Sequence, residues 1–140
     1  MKNKIILSYL GLIPFIFFTS IPIISNILTI DEAAIFLIAY GAIVISFLGG
    51  MAWAWSIKNN FSLLLGVSFS LIGFFLLCLS LIALKLSLLI NIFIFPAYFL
   101  FEKSLNPLMR EVIYYNLRRN LTIIVSICFI ISFISLNQIT

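Results

Sequence analysis

Between Phe61 and Phe101 the chain carries a single charge, Lys85, in an otherwise almost unbroken apolar run. One helix over that length would measure roughly 60 Å, about twice a bilayer's hydrocarbon core, so the run is expected to reverse once and form two spans. The reversal belongs at Lys85. A lysine at the bilayer centre costs on the order of 2.5 to 3.5 kcal/mol on the insertion scale, whereas one in an interfacial turn costs little. The rest of the chain agrees: 64% of its 140 residues are apolar, 9% are charged, and the mean hydropathy is +1.31. Soluble domains carry roughly 25% charged residues, and a water-soluble globular fold is excluded on this ground. The formal net charge of +4 then reads as cations flanking spans, with no nucleic-acid partner expected.

The predicted architecture is all-α membrane, with five transmembrane helices at 5–24, 30–56, 61–82, 86–101 and 121–136. One interfacial amphipathic helix, 107–119, is expected between spans 4 and 5. No linker, low-complexity tract or solenoid repeat interrupts these segments, so 1–140 is read as one polytopic domain. The first run follows Met1-Lys2-Asn3-Lys4 and is read as a retained span. It outruns the apolar core of a signal peptide, contains Pro14 and lacks an Ala-x-Ala site. Pro14 and Pro22 are tolerable there because neighbouring helices can satisfy the freed carbonyls.

Local punctuation supports these limits. Thr29-Ile30-Asp31-Glu32 has the form of a capping box. Lys58, Asn59 and Asn60 suit a tight turn, with Asn60 capping span 3. Asn106-Pro107 reads as an N-cap followed by a first helical position. In 107–119, Leu108, Met109, Val112, Ile113, Tyr115 and Leu117 share one side, while Arg110, Glu111, Tyr114 and Arg118 occupy the other, which suits the headgroup plane. Nothing at Asn120 forces a break, so a continuous bent helix into span 5 is the alternative.

Orientation follows from the cations. With a cytoplasmic N-terminus, Lys2, Lys4, Lys58, Lys103, Arg110, Arg118 and Arg119 lie inside and only Lys85 outside, which the positive-inside rule favours strongly. A bacterial inner membrane with the C-terminus outside is the simplest location, and a mitochondrial inner membrane is the alternative.

Small residues recur every fourth position on span 2 (Ala42, Ser46, Gly50, Ala54) and span 3 (Ser62, Gly66, Ser70). Such ridges let backbones approach closely. Counted from the shared turn, Ala54 and Ser62, Gly50 and Gly66, and Ser46 and Ser70 fall at matching depths. Spans 2 and 3 are therefore expected to form a close antiparallel pair, with Ser46 and Ser70 bonded across it. Leucine at Gly50 or Gly66 is expected to be more disruptive than leucine at Gly73.

Three segments carry a resemblance: Gly11-Leu-Ile-Pro14-Phe15; Tyr40-Gly41-Ala42-Ile-Val-Ile-Ser46-Phe47-Leu48-Gly49-Gly50; and Tyr115-Asn-Leu117-Arg118-Arg119-Asn-Leu121-Thr122. In order and spacing the chain resembles the uncharacterised small membrane proteins that include transmembrane protein 69 and its bacterial relatives. Where that family commonly has His-Trp-Gly this chain has Ala52-Trp53-Ala54, and Phe69 and Phe74 stand where a Pro and a Trp are common. The resemblance implies a multi-span helical protein and supplies no activity.

Candidate chemistry is sparse. There is no His, no Cys-x-x-Cys and no nucleophile beside a base, so no catalytic residue, metal ligand or cofactor is expected and the chain is not read as an enzyme. Asp31 and Glu32 read as a cap. Cys78 and Cys128 fall at depths roughly 15 Å apart, too far for a disulfide, and read as packing residues. Trp53 and Trp55 suit an interfacial aromatic belt, with a ligand or partner platform as the alternative. Arg118 and Arg119 suit lipid phosphate, and Arg119, on the apolar side of its helix, is the cation most expected to have a partner. No span as drawn holds an ionisable residue, which favours a non-catalytic accessory, assembly or scaffold protein over a small transporter or channel subunit routed past Ser46, Ser68, Ser70 and Asn91. The partners expected are membrane lipids, with anionic headgroups on the cytoplasmic side, and a membrane protein or a second copy of the chain.

Overall fold

A computed structural model describes residues 2–55 and 60–139, without the side chain of Ile139. Its elements are α1 (Lys2–Leu10), α2 (Ile13–Ile24), α3 (Ile30–Ala52), α4 (Asn60–Ser80), α5 (Leu84–Leu105), a 3-10 turn (Pro107–Arg110) and α6 (Val112–Ile139). No strand occurs among the described residues. Taking α1 and α2 together, five helical segments are long and apolar enough to cross a membrane. Their outward faces are apolar as well: Ile16, Ile24, Phe47, Phe74, Phe93 and Ile123 are all well exposed. So much exposed hydrocarbon on every helix fits a protein dissolved in lipid.

The first span is broken at Gly11-Leu12, because Pro14 lies at the start of α2 and has no N–H to carry the ladder through. At the break the Tyr40 hydroxyl on α3 donates to the Gly11 carbonyl at 2.9 Å, the kind of repair by a neighbouring helix that makes such a proline tolerable. At the start of α3 the capping box is formed. Glu32 N–H donates to the Thr29 hydroxyl at 3.2 Å, and Thr29 N–H donates to the Glu32 carboxylate at 3.1 Å. The turn between α4 and α5 falls at Leu81–Ala83, with exposed Lys85 in the first turn of α5. The expected turn at Lys58-Asn59 lies outside the described residues.

Two of the differences from the expected boundaries matter most. First, α3 ends at Ala52, so Ala54 is an exposed turn residue. Second, there is no separate interfacial helix over 107–119. Asn106 does cap the 3-10 turn, accepting from Leu108 N–H at 3.0 Å ahead of Pro107, but four residues later the chain bends at Glu111 and enters α6, which runs without interruption to Ile139. Helical bonding is cooperative, and nothing between Tyr115 and Leu121 removes a donor or fits badly in a helix, so the amphipathic stretch extends the last span.

The core is aromatic where helices converge. Phe15 (α2) meets Tyr40, Phe95 and Phe129 at ring-centre distances of 4.8, 6.0 and 6.0 Å. Tyr98 on α5 packs edge-on to Phe69 on α4 and donates a short hydrogen bond to the Leu48 carbonyl on α3.

Helices α3 and α4 do form a close antiparallel pair. As numbers fall along α3 they rise along α4: Gly49 meets Gly66, and Ala42 and Ile45 meet Gly73. Of the residues expected at the seam, Gly66, Ser70 and Ala42 are there, but Gly49 takes the place given to Gly50. A Cβ on Gly49 would come within 2.5 Å of the Gly66 carbonyl oxygen, a Cβ on Gly66 would strike the Gly49 carbonyl in return, and Gly50 has open space around it. The reason is helical pitch. At 3.6 residues per turn each four-residue step drifts about 40°, so two steps from Ala42 carry Gly50 off the seam, whereas seven residues return Gly49 to within about 20°. Gly66 and Gly73 are likewise seven apart, and Gly73 is packed against the Ile45 side chain. Ser62 is buried as well. The Ser70 hydroxyl donates to the Gly66 carbonyl of its own helix at 3.1 Å, and among the described residues no hydrogen bond joins it to Ser46.

Candidate functional site

Polarity collects at one end of the bundle, where α5 ends and α6 begins. Glu102 is 1% exposed and lies inside a helix that outruns the expected end of span 4. Arg118 Nε donates to one carboxylate oxygen at 2.9 Å. The other oxygen accepts from the Tyr114 hydroxyl at 2.7 Å and the Asn106 amide at 3.3 Å. Local geometry explains the convergence. Glu102 and Asn106 are four apart at the end of α5, as are Tyr114 and Arg118 at the start of α6, so each pair shares one helix face. The 3-10 turn folds the two faces together. A carboxylate removed from water this thoroughly is tolerated because a cation and two neutral donors replace the lost hydration.

Beside this cluster a crevice of about 490 Å³ runs between the broken first span, α3 and α6. Its walls are almost wholly apolar, with Phe15, Leu48, Phe95 and Val125 among them. Lys4, Tyr114 and Arg118 stand at one end. The crevice is lined in part by the break at Gly11-Leu12 between α1 and α2. Its volume falls in the range of about 300 to 1,000 Å³ usual for small-molecule sites, and such sites are commonly apolar with a few convergent polar groups.

The predicted site residues are distributed as follows. Gly66 and Ser70 lie at the α3–α4 seam, Ala42 is buried against Gly73, Ser62 is buried, Gly50 has open space around it and Ala54 is exposed. Ser46 is half-buried beside Ala42, Phe74 and Leu77, lining a shallower hollow. The two tryptophans part company: Trp53 is 56% exposed with its ring edge over Gly66, while Trp55 is buried 5.6 Å from Tyr98. Burial of Trp55 removes it from any exposed aromatic belt. Arg118, not Arg119, has the carboxylate partner. Arg119 is exposed and stacks over Tyr115 at 5.9 Å, with Lys103 over the same ring at 5.7 Å. Cys128 is buried and Cys78 exposed, and both are free thiols, so packing describes only the first. Among the described residues no group of His, Cys, Asp or Glu is arranged to hold a metal.

Sequence reasoning missed Glu102. The signal was present in a weak form: one of only four acidic residues in the chain, placed four residues before an amide, at the edge of an apolar run where a lone carboxylate needs a partner.

A family model described as a protein of unknown function, DUF3429, matches residues 1–134. No curated protein and no solved structure matches the chain.

Proposed function

We propose that this chain, which belongs to the DUF3429 family of proteins of unknown function, is a non-catalytic accessory, assembly or scaffold protein of a membrane. On this reading the membrane is a bacterial inner membrane, the N-terminus is cytoplasmic and the C-terminus is outside. The motifs around Pro14, Gly49 and Arg118 support a further kinship, with the small membrane proteins that include transmembrane protein 69.

One observation carries the preference over a transporter or channel. Four buried polar side chains inside the helices are tied to backbone carbonyls of the same bundle: Thr19 to Phe15, Ser87 to Leu76, Asn91 to Ser87 and Tyr98 to Leu48. A conduction path needs polar groups free to exchange partners along a line. Among the described residues one hydroxyl wholly shut off from the surface, that of Ser126, lacks a partner, and a single group makes no path. Glu102 in α5 and Arg118 in α6 correct the expectation that no span holds an ionisable residue, but they are paired with each other at one end of the bundle and form no line of groups along it.

Crosslinking in native membranes followed by identification of the captured protein tests the reading, with a specific stoichiometric partner expected. Solute flux in proteoliposomes that is abolished by Ser46→Leu would reverse it. A phosphatase or fluorescent fusion at the C-terminus tests the orientation, which predicts a signal from the far side.

A further inference from the structure

We propose that the crevice between the broken first span, α3 and α6 binds one anionic phospholipid of the surrounding bilayer, with an acyl chain along its apolar walls and the phosphate against Arg118 and Lys4. The inference goes beyond the accessory reading and requires only that the helices span a bilayer.

Commitments at the polar end select the charge of the occupant. Four hydroxyls line the crevice and all are occupied: Ser8 donates to the Lys4 carbonyl, Tyr40 to Gly11, Tyr114 to Glu102 and Thr122 to Arg118. Arg118 is different. A guanidinium has five N–H donors, and Glu102 takes only the one on Nε. The side chain is 11% exposed, lines the crevice, and is held in place by a carboxylate that does not line it. The Glu102–Arg118 pair is neutral as a unit, so Lys4 leaves this end net positive. Planar guanidinium donors plus an ammonium suit a phosphate oxyanion.

Access selects the source. The crevice is flanked by Leu7, Ile43 and Phe47, each about two-thirds exposed at 67%, 66% and 69%. An opening rimmed by exposed hydrocarbon faces acyl chains in a membrane, so the occupant enters sideways from the bilayer. The cations sit near the start of α1 and in the second turn of α6, where a headgroup lies, while Phe15, Phe95 and Val125 form the deeper wall.

Native mass spectrometry of the full-length protein in mild detergent, titrated with phosphatidylglycerol and phosphatidylethanolamine of identical chains, tests the proposal. One phosphatidylglycerol is expected to be retained, about tenfold more tightly than phosphatidylethanolamine. Lys4→Gln should cut that preference about fivefold, the worth of one cation near an anionic headgroup. Ser8→Trp, which fills the crevice from its wall, should abolish retention of both. Both variants leave the Glu102–Arg118 pair intact, and an unchanged thermal midpoint confirms folding. Equal retention of the two lipids overturns the proposal, as does indifference to Ser8→Trp. Retention of palmitate but not phosphatidylglycerol, or a lipid-free dimer that occludes the crevice, overturns it too.

Discussion

The α3–α4 seam and the α5–α6 seam hold antiparallel helices together by opposite means. At the first, Gly49 and Gly66 let the two backbones meet, each lying against the other's carbonyl. Packing of this kind rests on dispersion and on weak Cα–H···O contacts. At the second, Glu102, Asn106, Tyr114 and Arg118 form a network in which each group replaces water for another. Lipid provides no hydrophobic drive between helices, so a seam needs either near-contact of backbones or polar groups with no better partner. The glycine seam is intolerant of added volume and indifferent to charge. The polar seam tolerates volume better than it tolerates the loss of one member.

The sharpest break of this contrast is Glu102→Leu, which leaves Arg118 buried without its counter-charge. A loss of about 3 to 5 kcal/mol is expected in reversible unfolding by steric trapping or mixed micelles. The double variant Glu102→Leu with Arg118→Leu should recover most of it, and a double variant no better than the single would show that the pair is not coupled. Next, Gly66→Ala and Gly49→Ala add the one atom the α3–α4 seam cannot hold, and should each cost about 1 to 3 kcal/mol in the same assay even though alanine is the better helix former. A smaller effect, about 0.6 and at most about 1.7 kcal/mol, is expected for Tyr40→Phe, which removes the hydroxyl from the Gly11 carbonyl at the break in the first span. Smallest is Gly50→Ala. With open space around it, the substitution should be neutral or stabilising by up to about 1 kcal/mol. If Gly50→Ala were instead as damaging as Gly66→Ala, the seam would run through the four-residue ridge after all.

What could be read in advance divides along a physical line. The turn before Lys85, the capping box at Thr29 and Glu32, and the N-cap at Asn106 depend on a few neighbouring residues and on hydropathy, and they stand where expected. The proline-tolerant first span was legible, but its repair by Tyr40 was not, because the two residues are far apart in the chain and no local pattern links them. Choosing Gly50 over Gly49 reflects a four-residue count that ignores angular drift. Preferring Arg119 over Arg118 came from an amphipathic projection drawn for a free helix, and in the folded chain α6 instead turns Arg118 toward the end of α5.

From composition and spacing alone came the solvent this protein needs, the number of its spans and the places where the chain can turn, since each is set by transfer free energy and by bonds within a few residues. Tertiary structure alone decided which glycine touches which, which arginine a buried carboxylate claims, and where a bent span leaves room for a guest. Those outcomes depend on the rotation of each helix about its own axis, and that angle is fixed only when all the neighbours pack at once.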